Sequence, residues 1–235
     1  MEDLFLKLKK IANPEKARIL QRFFKTGKGE YGEGEVFLGI SVPDQRKISK
    51  EYYSKLNLKD LQRLLESKIH EHRLIALIIL IEKYKKANKS KYEKREIVNF
   101  YLKNLSRVNS WDLVDISAPK ILGDFILKEK SSLLRDLAKS ENLWERRISV
   151  VSTYAFIKKN ILGETLAISE ILLNDQHDLI HKAVGWMLRE LGKRNKSVLE
   201  LFLLPRYKKM PRTMLRYAIE KFSPEERKRY LKGEI

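Results

Sequence analysis

"HKAVGWMLRELGK" (residues 181–193) sets a basic pair ahead of apolar residues, with small ones among them, and ends in charge. Two other stretches follow the same plan: "HRLIALIILIEKY" (72–84) and "RRISVVSTYAFIK" (146–158). With Arg73, Arg147 and Lys182 aligned, the first interval is 74 residues, or two units of 37, and the second is 35. The unit skipped by the first interval should begin at position 110, where Ser110 and Trp111 stand. Periods of this length with paired helices predict an α-solenoid of HEAT or armadillo type. One helix pair cannot bury its apolar face alone, and stacking several pairs builds one core. The expected fold is all-α: a single curved domain over residues 1–235, with a concave basic groove lined by the second helix of each pair.

The rest of the chain agrees with helices and gives almost no strand signal. Asn13-Pro14-Glu15 opens a segment with a cap and a proline in its first turn, followed by apolar Ile19, Leu20, Phe23 and Phe24. Near the other end, "SPEE" (223–226) supplies Ser223 as N-cap, Pro224 and a capping-box Glu226. One stretch breaks the pattern. "TGKGEYGEGEVFLGISVP" (26–43) holds five of the ten glycines, with a literal GxGxxG from Gly27 to Gly32. A dinucleotide fingerprint follows a strand, whereas this one follows the helical "RILQRFFK", so it is not read as one. Two readings of 26–43 stand side by side: a long surface loop before the first repeat, or a mobile element that closes over a ligand.

Composition narrows the partner. Lys and Arg number 49 against 31 Asp and Glu, for a formal charge of +18. Such an excess predicts a polyanionic partner, nucleic acid first and an anionic membrane surface second. There is no cysteine, which excludes disulfides and thiolate metal sites and suits a reducing compartment. No signal peptide is recognisable, and "LIALIILI" (74–81) is far short of the about 20 residues a bilayer span needs. A soluble, cytoplasmic protein is expected, nucleoid-associated if the source is prokaryotic.

The chemistry-bearing residues are few. His70 and His72 lie two apart and do not share a helix face, and His177 and His181 carry no HExxH pattern, so no metal site is expected. Trp144 precedes a helix start and reads as packing between repeats. Trp111 lies among Asn, Ser and Asp rather than in an apolar stripe. Trp186 shares a helix face with Lys182 and Arg189, at four and three residues' distance. Rings with cations on corresponding inner helices describe a cationic groove with stacking platforms. Asp112 falls in the first turn after Ser110, where a helix dipole favours an anion. Asp115, four residues after Trp111, has no such local reason. A carboxylate facing a phosphate-binding groove must meet positive charge: either an arginine of the protein or a cationic centre on the ligand. A ring-alkylated nucleobase is such a cation, as is the oxocarbenium-like sugar formed when its glycosidic bond breaks.

"NSWDLVD" (109–115) with its Trp-x3-Asp core, "WERR" (144–147), "KAVGWMLRELGK" (182–193) and "FFKTGKGEYGEGEVFLGISVPDQRK" (23–47) together resemble the DNA alkylation repair family, the AlkD-type DNA glycosylases. The resemblance runs from about residue 13 to 222, in the family's order. It implies HEAT-like repeats around a DNA-binding groove and excision of cationic N3- and N7-alkylated purines, such as 3-methyladenine and 7-methylguanine, by hydrolysis of the N-glycosidic bond. The family is understood to work on a base left in the stack. The resemblance implies Asp115 as the catalytic carboxylate and Trp111 and Trp186 as the groove rings against the lesion's sugar. It implies Arg147 and Arg189 as DNA contacts, joined by Lys182, Arg146, Ser41 and Phe23. Two positions depart: the family's "FLGIQTP" reads "FLGISVP" here, with Ser41 at a DNA-contacting Gln, and Phe23 stands where a Tyr occurs.

The resulting expectation is a monofunctional DNA glycosylase of base excision repair. It acts as a monomer on double-stranded DNA with alkylated purines, without cofactor or metal, and does not engage a membrane. The rivals are a non-catalytic HEAT-repeat protein binding branched DNA or RNA, which needs the cations but not Asp115, and a protein-binding HEAT scaffold.

Overall fold

The structure, a computed structural model, describes residues 1–87, 91–129 and 131–235. The described residues are helical throughout, with one isolated parallel bridge between Val36 and Ile69 and no strand. They gather into two compact units, Met1–Ser117 and Ala118–Ile235.

The first unit comprises α1 (Glu2–Lys10), α2 (Pro14–Phe23), α3 (Val42–Tyr52), α4 (Leu58–Leu65), α5 (His70–Lys86), α6 (Lys91–Lys103), a 3-10 turn at Leu105–Arg107, and α7 (Trp111–Ser117). Helix starts follow the local chemistry. The Asn13 side chain accepts from Lys16 N–H at 3.0 Å ahead of Pro14, and Asn57 with Asp60 forms a full capping box. α5 is the hub. His70 to Ile81 and Tyr84 are all buried, because α3, α4, α6 and α7 pack around it. A helix covered on every side needs apolar residues all round, which accounts for the unbroken run at 74–81. Among the described residues no helix is long and apolar enough to cross a membrane.

The second unit opens on a π-helical turn, Pro119–Gly123, in which Gly123 N–H reaches back to Ala118 O at 2.8 Å. It continues through α8 (Asp124–Ile126), α9 (Leu133–Ala138), α10 (Leu143–Ser152), α11 (Tyr154–Lys158), α12 (Gly163–Ile171), α13 (Asp178–Arg194), α14 (Lys196–Leu203), α15 (Arg212–Ala218) and α16 (Pro224–Lys232). α13 plays the part α5 plays in the first unit. It buries Ile180, Ala183, Val184, Met187, Leu188 and Leu191 against α10, α12, α14 and α15. Gly185 lets α15 come close: a Cβ there would stand 2.6 Å from the Met214 carbonyl oxygen. The Ser223–Glu226 capping box predicted from sequence is present at α16. The repeat starts predicted near 73, 110, 147 and 182 fall within or next to α5, α7, α10 and α13.

The second half of the glycine-rich segment departs from the surface-loop reading. Residues 27–34 make turns that are exposed apart from half-buried Tyr31 and buried Gly32, and Glu35, Phe37, Gly39 and Ile40 are buried. The reason lies in α5: Glu71 accepts backbone N–H groups from Leu38 (2.9 Å), Gly39 (2.8 Å) and Ile40 (3.2 Å), and His70 N–H donates to Val36 O (2.8 Å). Gly39 has φ +78°, and a Cβ there would lie 2.1 Å from Asn13 O. Residues 35–40 are thus a buttress of the first unit rather than a surface loop.

Candidate functional site

Trp111 and Asp115 lie on one face of α7, one turn apart, and both are half-buried. The Trp111 ring is held by its neighbours. Phe24 stacks on it at 5.1 Å between centroids and 9° between planes, and Phe23, 62% exposed, meets it edge-on at 5.8 Å. Phe24 leans in turn on Phe37 (4.9 Å) and His70 (5.0 Å), and Phe37 stacks on His70 at 4.6 Å. A train of rings therefore runs from α7 through the end of α2 and the buttress to the start of α5. Stacked pairs of this kind add roughly 0.5–1.5 kcal/mol each beyond the area they bury, so Trp111 presents its remaining surface in a fixed orientation.

The ring train rests on a buried ionic cluster. His70 bonds Glu35 through Nδ1 (2.9 Å) and Asp112 through Nε2 (2.8 Å). Glu35 is also paired with Arg73, whose Nη1 donates to Ser67 O at 3.3 Å. Burial opposes charge on His70, yet its hydrogen bonds to Asp112 and Glu35 overcome that, and its pKa is pushed up to about 9. Burial likewise opposes charge on Glu35, and the bonds from His70 and Arg73 hold its carboxyl below the usual range. At neutral pH the cluster is two cations and two carboxylates, with no net charge. The neighbouring His72 is the contrary case. It is buried with Ser67 Oγ at 2.9 Å, no carboxylate compensates, and its pKa falls to about 4.

In the second unit, Trp186 is half-buried on α13 beside Tyr154, at 6.2 Å and 33°. Arg147, only 5% exposed, donates Nη1 to Leu179 O at 2.6 Å and ties α10 to the start of α13. Lys182 pairs with Asp178 at 2.7 Å, and Arg189 pairs with Glu220 and, at 3.2 Å, with Glu190. Glu220 and Asp178 are exposed enough that such pairs contribute about 0–1 kcal/mol, so an incoming anion exchanges for them cheaply.

Of the residues singled out from sequence, Trp111, Asp115 and Phe23 come together in the first unit, and Trp186, Lys182 and Arg189 share one face in the second. Others, like Arg147, have structural employment. Arg146 donates to Asp175 (2.6 Å) and to the carbonyls of Ser140 (3.0 Å) and Glu141 (2.8 Å), bracing the approach to α10. Ser41 caps α3, accepting from Asp44 N–H and donating to its carboxylate at 2.5 Å. His177 caps α13, its Nδ1 accepting from Leu179 N–H at 3.1 Å. Sequence reasoning missed Glu35, His70, Arg73 and Glu71; the only available signal was the density of charged residues in "HEHR" (70–73) before an apolar run. Among the described residues no group of three or more His, Cys, Asp or Glu side chains converges as a metal site.

The profile of the family described as "DNA alkylation repair enzyme" matches residues 5–222. The chain belongs to that family. As a family member it has a role in DNA alkylation repair. No functionally curated protein matches it in sequence. Its fold is shared with solved structures of low identity. A predicted DNA alkylation repair enzyme from Enterococcus faecalis superposes with TM-score 0.69 at 19% identity, over 91% of this chain and 97% of that one. AlkD2 from Streptococcus mutans gives 0.58 at 17%, over 89% and 98%, and smu.31 from Streptococcus mutans UA159 gives 0.55 at 18%, over 90% and 96%. The fold of this DNA alkylation repair family member is all-α, built of HEAT-like helical repeats.

Proposed function

We propose that the protein is a monofunctional DNA glycosylase that hydrolyses the N-glycosidic bond of cationic N3- and N7-alkylated purines in double-stranded DNA. The observation that carries the reading is the pairing on α7: a tryptophan whose plane is fixed by Phe24, and a carboxylate one turn further along the same face. An alkylated purine carries positive charge and leaves as a neutral base. As the bond lengthens, positive charge appears on the sugar at C1′. Asp115 stabilises that charge and orients the water whose oxygen forms the new C1′–O bond. Trp111 packs against the deoxyribose of the lesion, and in the second unit Trp186 offers a further ring to the DNA while Arg189 and Lys182 bind phosphates. The base departs already activated by its own charge, so the step needs no metal or cofactor. The protein works as a monomer on cellular DNA.

Chromatography of bases released from methylated DNA tests this directly. Wild-type protein releases 7-methylguanine or 3-methyladenine in the presence of a chelator. Asp115→Asn lowers the rate at least a hundredfold while duplex affinity stays equal or rises, because a negative charge among phosphates is removed. Release that Asp115→Asn leaves unchanged refutes the assignment, and tight binding without release by the wild type assigns the protein to the non-catalytic DNA binders.

A further inference from the structure

The second unit holds two sets of surface cations in different electrostatic surroundings. Lys208, Lys209, Arg216, Arg227 and Lys228 are exposed and meet no carboxylate among the described residues. Arg189, on the α13 face that carries Trp186 and Lys182, is half-buried and meets two. Its Nε and Nη2 donate to Glu190 at 3.3 and 3.2 Å, and its Nη1 donates to Glu220. Lys and Arg outnumber Asp and Glu by 49 to 31 in this chain, so two carboxylates on one guanidinium call for a reason.

Glu190 has a local one. It adjoins Arg189 on α13 and takes Lys193 Nζ at 2.7 and 2.9 Å, a pair one turn apart. Glu220 has none. It stands 31 residues further on, in the turn after α15, and meets Arg189 because α15 lies close against α13 at Gly185, one turn before Arg189. Its other charged contact is Lys221 at 3.3 Å. The hydrogen bond from Arg189 holds the Glu220 carboxyl below the usual range, so it is ionised at neutral pH. The pair reaches solvent, with the Arg189 side chain 19% exposed and that of Glu220 40%. Arg binds carboxylate and phosphate through the same fork of N–H donors. A phosphate must therefore displace Glu220 before it gains Arg189, and it then lies beside the negative charge it has displaced. That exchange gives little by itself. It proceeds only where other contacts on the same face, from Trp186 and Lys182, seat the nucleic acid.

We propose that Glu220 is a specificity-determining residue, standing in for a DNA phosphate on Arg189 and holding that arginine off undamaged duplex. The inference rests on the DNA reading above. Specificity often comes from a group set against the wrong partner, and undamaged DNA is the wrong partner that a repair protein meets most.

Fluorescence anisotropy with an undamaged duplex, over salt from about 50 to 200 mM, compares the full chain with Glu220→Gln. Each protein cation that gains a phosphate steepens the fall of log affinity with log salt by about 0.9. Glu220→Gln steepens the slope by that amount, and affinity at the lower salt rises roughly two- to fivefold, the scale of an exposed ion pair. Glu225→Gln removes an exposed carboxylate of α16 with the same change of charge and keeps the wild-type slope. In an Arg189→Gln background, Glu220→Gln gives no gain. In an Asp115→Asn background, which slows turnover, Glu220→Gln lowers the preference for a duplex with 7-methylguanine over the undamaged one at least twofold. Circular dichroism confirms that each variant folds. An unchanged slope, an equal change in Glu225→Gln, a gain that survives Arg189→Gln, or an unchanged preference overturns the inference. Base release from methylated DNA by the wild type is read in parallel. Release with an unchanged slope sinks the role of Glu220 and leaves the glycosylase standing, while the shifts without release keep that role and remove the glycosylase.

Discussion

The buried imidazole of His70 makes stability depend on alkaline pH in a way that can be measured. Unfolded, its pKa is about 6.5; folded, between Glu35 and Asp112, it is about 9. A group whose pKa is raised on folding contributes stability that is full below the unfolded value and is lost as pH climbs through the folded one. The gap corresponds to roughly 3 kcal/mol. His70 is 2% exposed, so solvent screening removes little of this. The assay is urea unfolding of wild type and His70→Gln at pH 6, 7.5, 9 and 10. The subtraction matters because a chain of charge +18 also changes its self-repulsion over this range. The wild-type advantage is largest at pH 6, declines between about 6.5 and 9, and levels off above. NMR titration of the ring follows the same proton. A pKa near 6.5 in the folded protein, or a wild-type advantage that stays constant from pH 6 to 10, refutes the claim that His70 is a buried cation.

The other two predictions concern the fold that carries the site. Glu71→Ala strands the buried amides of Gly39 and Ile40 and the half-buried amide of Leu38; at roughly 1–3 kcal/mol per buried group it costs about 3–5 kcal/mol in urea unfolding. Hydrogen exchange at those three amides speeds up ahead of the α5 core, and Glu71→Gln, which keeps one acceptor oxygen, recovers part of the loss. Gly185→Ala gains helix propensity of up to about 1 kcal/mol, but its methyl meets the Met214 carbonyl, which is backbone and cannot step aside. Overpacking wins, and the melting temperature drops by the equivalent of about 2 kcal/mol.

What could be read from the chain in advance was what is local. Asn13-Pro14 and Ser223-Pro224-Glu226 announce helix starts because the capping atoms lie within three residues of the amides they satisfy. The repeat plan was legible because each unit's apolar stripe meets the next in the same way. The buttress was not, since the groups that bury residues 35–40 sit 31 to 35 residues further on, in α5. His70 looked like a poor metal ligand, and its partnership with Asp112 spans 42 residues. The neighbouring arginines 146 and 147 could not be told apart by type. A helix turns about 100° between them, which sends one guanidinium to Asp175 and the carbonyls before α10 and the other to the Leu179 carbonyl.

Asp112 and Asp115 occupy one seven-residue helix, yet their surroundings assign them different work. Asp112 and Glu35 together balance His70 and Arg73, so the cluster beneath Trp111 carries no net charge. What the cluster supplies is position: α7 is tied to α5 by the Asp112–His70 bond, and the Phe24, Phe37 and His70 rings then set the plane of Trp111. The electrostatics of catalysis thus fall to Asp115 and its alignment to Asp112, on the function proposed above. The two variants should fail differently for that reason: loss of Asp115 removes the charge that meets the sugar cation, whereas loss of Asp112 lets the ring and helix that aim it drift.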